Sequence, residues 1–151
     1  MTRYEKKWHD LTAVDPANYL DLFNERADMV ILTVRDTVVD DISGLTLYVR
    51  LLFQILNFKG PFSEELYHKH QKLLSAAVGY DISYEESLKI SSQARREYKE
   101  FAEFTENVQR LLRKIPEDIK EDIITFCLLL GSEEGRPIYK VRNYLAKFYE
   151  E

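Results

Sequence analysis

Apolar residues recur at helical intervals along most of the chain, and the points where the recurrence fails mark the ends of about seven segments. Asp15-Pro16 suits the start of a helix, because Asp accepts hydrogen bonds from free N–H groups and Pro fits the first helical position. After it, Leu20, Phe23, Ala27, Val30, Val34 and Val38 lie on one stripe. The β-branched run from Val30 to Val39 speaks for a strand, since such side chains favour pleated surfaces. The continuous stripe predicts helix.

Asp40 to Gly44 break the pattern, and Leu45 to Leu56 follow, apolar on nearly every side with only Thr46, Arg50 and Gln54 interrupting. A helix of that kind is a central one. Gly60-Pro61 ends it, Ser63 can cap the next, and Leu66, Tyr67, Leu73, Leu74, Ala77 and Val78 carry that helix to Gly79. Ser83 and Glu86 have the spacing of a capping box ahead of a short helix, which Ser91-Ser92-Gln93 is expected to kink or break. Tyr98, Phe101, Phe104, Val108, Leu111 and Leu112 then mark a long amphipathic helix, with Arg95, Arg96 and Lys99 on a solvated face.

Ile115-Pro116 closes that helix. A second segment apolar nearly all round contains Ile119, Ile123, Ile124 and the run Phe126 to Leu130. Residues 131–137 end it, and Ile138, Val141, Leu145 and Phe148 form the inward stripe of a last helix. The prediction is an all-α, compact single-domain bundle of about seven helices, spanning residues 1–151, in which 1–44 form a helical extension.

Composition narrows the function classes. A chain of 151 residues with 45% hydrophobic residues can bury a substantial core without disulfides or a structural metal. Twenty-one Lys and Arg against 26 Asp and Glu leave a formal charge of -5, which disfavours nucleic acid or anionic lipid as the principal target. The single Cys127 sits within an apolar run and reads as a small buried hydrophobe in a reducing, cytoplasmic setting. No apolar run approaches the ~20 residues that would cross a bilayer, and the N-terminus lacks the apolar core of a secretory signal.

The two central helices align by the glycines that follow them, Gly60 and Gly135, which places Leu52 with Cys127, Ile55 with Leu130 and Leu66 with Val141. Each unit is a buried helix, a charged Gly loop and an amphipathic helix. Neither hairpin alone can cover its apolar surface, so the internal repeat predicts two pseudo-symmetric hairpins packed together.

Three stretches carry a family resemblance. Gly60, Phe62, Ser63, Glu64 and Glu65 form a Gly loop leading into acids. "GYDISYEESLKI", from Gly79 to Ile90, is a connecting segment with a Ser-x-x-Glu helix start. "IPEDIKEDIITFCLLLGSEEG" joins an acidic turn, an apolar helix and a second Gly loop. Their order, over residues 45 to 150, resembles the TerB-like family, named for a tellurite-resistance protein. The resemblance implies an all-helical core at 45–151, with acidic loops that coordinate a metal in the family.

Hard divalent cations need several converging oxygen ligands. The first loop has Lys59 where the family's acid would precede Gly, which puts a positive charge in the would-be site. The second keeps Glu133 and Glu134 before Gly135, followed by Lys140, Val141 and Arg142 where a distal acid would be wanted. Glu133 and Glu134 are therefore the candidate ligands of a weak divalent cation, whereas Glu64 and Glu65 read as first-turn acids favoured by the helix dipole.

His68 and His70 point about 200° apart on a helix and cannot share an ion. No nucleophile elbow, Gly-rich phosphate loop or acid–His constellation is present, so the chain reads as non-enzymatic and without a cofactor. The expected role is a stress-associated or regulatory module that binds a protein partner, with metal coordination weakened or lost. Phe58 is the candidate partner-binding residue. The alternatives are a divalent-metal protein using the second acidic loop, and a helical bundle unrelated to TerB.

Overall fold

A computed structural model describes residues 6, 16–96, 101–133 and 136–149. Its described residues form seven α-helices and two short hairpins in the order α1 (Pro16–Asp36), β1 (Val38–Val39), β2 (Ile42–Ser43), α2 (Gly44–Asn57), α3 (Glu64–Val78), α4 (Tyr84–Arg96), α5 (Phe101–Lys114), α6 (Glu117–Leu130), β3 (Ser132–Glu133), β4 (Arg136–Pro137) and α7 (Tyr139–Tyr149). The all-α bundle expected from the periodicity is the fold observed. No helix among the described residues is long and apolar enough to cross a membrane.

The two segments apolar on all sides are the central helices. Leu47, Leu51, Leu52, Phe53, Ile55 and Leu56 of α2 are sealed from solvent, as are Ile123, Ile124, Cys127, Leu128 and Leu130 of α6. The amphipathic helices add one stripe each: Val30 and Val34 from α1, Leu74 and Ala77 from α3, Val108 and Leu111 from α5, Val141 and Leu145 from α7. Arg26 ties α1 to α6, its Nε lying 2.7 Å from Asp122 and its Nη2 3.3 Å from Asp118. Tyr98 and the side chains of Leu20, Phe23 and Phe101 lie outside the described residues.

The start and stop signals operate as chemistry requires. Ser63 Oγ accepts from the Leu66 N–H at 3.2 Å, and Gly79 closes α3 in the left-handed region at φ 84°. Ser83 Oγ accepts from the Glu86 N–H at 3.1 Å, whereas the Glu86 carboxylate receives the Tyr80 hydroxyl at 3.1 Å. Pro116 immediately precedes α6.

Three expectations are corrected. The α1 stripe stops at Val34, because the helix ends at Asp36 and strand alternation then takes over: Val38 is 52% exposed and Val39 1%. Asp40 and Asp41 both have positive φ, 48° and 67°, the geometry of a two-residue turn whose twist matches paired strands, and Val39 faces Ile42 across it. That pairing returns the chain to Gly44, where a Cβ would meet the backbone oxygens of Val34 and Thr37 and lie 2.9 Å from Leu111 Cδ1.

The serines of α4 do not break it. Ser87 Oγ donates to Ser83 O at 2.8 Å and Ser91 Oγ to Asn57 Oδ1 at 2.9 Å, so both buried hydroxyls are satisfied and their small size lets α4 lie against α2. The third correction concerns the loops after the central helices. The first, residues 58–63, is an unpaired turn with Gly60 at φ 131°. The second folds as the β3–β4 hairpin, with Ser132 opposite Pro137 and Glu133 opposite Arg136.

Candidate functional site

The C-terminal end of α2 carries two adjacent residues with different surroundings. Lys59 follows the helix end, its backbone N–H donating to Leu56 O at 2.9 Å. Its side chain crosses to the other hairpin: Nζ is 2.7 Å from Ser132 O, 3.5 Å from Leu130 O and 2.8 Å from His70 Nε2. An ammonium can only donate, so His70 Nε2 is an acceptor and the imidazole proton resides on Nδ1. Burial, reinforced by the positive charges of Lys59 and Lys69, pushes His70 down to about pKa 3 and keeps it neutral. Its Nδ1 is buried without a hydrogen-bond partner among the described residues.

Lys59 therefore delivers a positive charge to the carbonyl oxygens at the C-terminal end of α6, where a helix dipole favours a cation. The sequence places this charge in the first loop; only the fold shows that the second loop receives it. Glu134 and the side chain of Glu133 lie outside the described residues. Among the described residues no group of three His, Cys, Asp or Glu side chains could hold a metal ion. His68 is exposed, with its ring edge-on to Tyr67 at 5.3 Å, while His70 turns inward, as the 200° separation requires.

Phe58, the candidate partner residue, is half-buried. Its ring lies 5.3 Å from Tyr144, which in turn meets Phe148 edge-on at 5.2 Å, and burial pushes the Tyr144 hydroxyl up to about 12. Phe62 is taken up differently. It stacks on Tyr84 at 6.0 Å and tilts against Phe53 at 5.9 Å, so it pins the loop to α2 and α4 rather than to α3.

Phe58 forms one wall of an open cleft of about 500 Å³ shared by α2, α4 and α7, with Gln54, Asn57, Arg95 and Lys140 as the other lining residues among those described. The Asn57 side chain is engaged: Oδ1 accepts from Ser91 Oγ, and Nδ2 lies 3.5 Å from Ser91 O. Gln54 is 5% exposed, yet its amide makes no hydrogen bond among the described residues. Arg95 and Lys140 are exposed at the rim and likewise have no ion-pair or hydrogen-bond partner there. A second cleft, about 390 Å³, mixes Arg113, Lys120 and Lys147 with its own carboxylate, Glu117.

Of these residues the sequence singled out only Phe58 as a binding group. Gln54 carried a usable signal, since a long polar side chain in a helix apolar on all sides requires a partner or a cavity. Arg95 and Lys140 carried none, because their approach depends on how α4 and α7 pack on α2.

Comparison with family models, curated proteins and solved structures gave no match.

Proposed function

We propose that the protein is a non-enzymatic, TerB-like helical module of the cytoplasm with a stress-associated or regulatory role, and that it binds a protein partner through the cleft at Phe58. The observation that carries this reading is the pairing of a half-buried aromatic wall with polar groups that have no partner among the described residues, Gln54, Arg95 and Lys140. A few convergent polar groups beside an apolar wall are the ordinary make-up of a binding site, and this set keeps its hydrogen-bonding capacity open to the cleft.

Two further features support it. Among the described residues the cleft offers guanidinium, ammonium, amide and phenyl groups, with neither a nucleophile nor a general base among them. The strongly shifted titrating groups, Tyr48, His70, Cys127 and Tyr144, owe their shifts chiefly to burial. The Lys59 ammonium on Ser132 O and Leu130 O supports weakened or lost metal coordination, because it already neutralises the carbonyl oxygens beside the second loop.

A photoreactive phenylalanine analogue at position 58, expressed in the native cell, tests the reading. A discrete cross-linked protein is expected from that position and not from Met29, which is exposed on α1. Equal capture from both positions, or none from position 58, would sink it.

A further inference from the structure

The chemistry of the cleft specifies more than the existence of a partner. We infer that it receives an acidic peptide segment in an extended conformation, an inference that rests on the protein-binding reading above. Gln54 is decisive. A carboxamide presents one acceptor and a two-hydrogen donor in a plane, and this matches the C=O and N–H of a peptide group. Gln54 is only 5% exposed and its amide makes no hydrogen bond among the described residues, yet neither amide atom is sealed from solvent. Both functions therefore open to the cleft and are available to a peptide backbone there.

The flanking groups then set the sequence of that peptide. Arg95, in the last turn of α4, and Lys140, in the first turn of α7, are exposed cations lining the cleft, with no ion-pair partner among the described residues. They stand out in a chain whose formal charge is -5, and their complement is carboxylate side chains on the bound segment. The Phe58 ring in the same cleft supplies an apolar surface for a hydrophobic side chain. Lys140 also lies where the free N–H groups of α7 begin, which adds to the local preference for negative charge.

Amide NMR spectra of the full chain, titrated with the acetylated and amidated peptide Glu-Leu-Glu-Phe-Glu, provide the test. Shifts of the Gln54 side-chain amide and of the backbone at Phe58 and Lys140 are expected, absent with Lys-Leu-Lys-Phe-Lys. Reversing both rim charges, Arg95→Glu with Lys140→Glu, should weaken binding by more than about tenfold. The milder pair Arg95→Gln and Lys140→Gln should weaken it in the same direction without risk to folding. Gln54→Met, which keeps the volume and removes the amide, should cost about fivefold.

Equal shifts from both peptides, or the same shifts from inorganic phosphate or glutarate alone, overturn the inference. Cross-linking separates its failure from that of the reading beneath it. A partner captured at position 58 regardless of rim charge removes the acidic peptide and leaves the binding module. Peptide shifts at Gln54 with no partner captured at position 58 do the reverse.

Discussion

Phe58 and Lys59 are neighbours in sequence, and the polar groups around them obey opposite rules. Around Lys59 almost every capacity is used: one ammonium, two carbonyl oxygens and an imidazole nitrogen are matched across the hairpins. Around Phe58 the Gln54 carboxamide, the Arg95 guanidinium and the Lys140 ammonium have no partner among the described residues and meet solvent instead. Polar groups matched within the chain hold a fold together, whereas groups that meet only water add little to stability and remain available to another molecule. The two neighbourhoods should therefore answer differently to mutation.

The largest effect is expected at Lys59. Lys59→Met preserves the stem but removes the ammonium, leaving Ser132 O, Leu130 O and His70 Nε2 without it, at a cost of about 2–4 kcal/mol. A urea midpoint that falls with an unchanged slope would report it. No change would mean that the hairpins are joined by apolar packing alone.

Acid should act on the same node. His70 is held at about pKa 3 in the fold, against 6.5 for a free imidazole. Below pH 6.5 the unfolded chain binds a proton that the folded chain refuses. This contribution to stability is thus complete above that pH and declines toward pH 3, at about 1.4 kcal/mol per pH unit. His70→Gln should flatten the wild-type decline between pH 6.5 and 4 in equilibrium unfolding, and an unchanged slope would assign the acid sensitivity elsewhere.

In the cleft the signs change. Gln54→Met replaces an amide that makes no hydrogen bond among the described residues with an apolar side chain of similar volume, and should leave stability unaltered or raise it by up to about 1 kcal/mol. A clear loss would show that the amide holds the fold. Arg95→Gln and Lys140→Gln should fall within about 0.5 kcal/mol of wild type in the same assay, since each side chain is exposed and unpaired.

Much of the architecture was legible because its causes are local. Ser63, Gly79 and Pro116 act within a turn of their own positions, and the apolar surrounds of α2 and α6 announced burial wherever partners came from. The misread elements are those in which a partner overrides the local signal. Ser91 looks like a helix breaker until its hydroxyl finds Asn57, and Val38 continues the α1 stripe until pairing of Val39 with Ile42 imposes a period of two. Lys59 was legible as a charge out of place for a metal loop, but not as the group that spans to Ser132, 73 residues away.

The sequence by itself determined the all-α class, the two central helices and the sealed position of Cys127, since periodicity, caps and breakers act over a few residues. It also flagged Phe58. Only the tertiary structure decided that Lys59 serves the second loop, that His70 is buried and neutral, and that Gln54, Arg95 and Lys140 meet at one cleft. Those relations depend on desolvation and on contacts between segments distant in the chain, and neither is encoded in the spacing of residues along it.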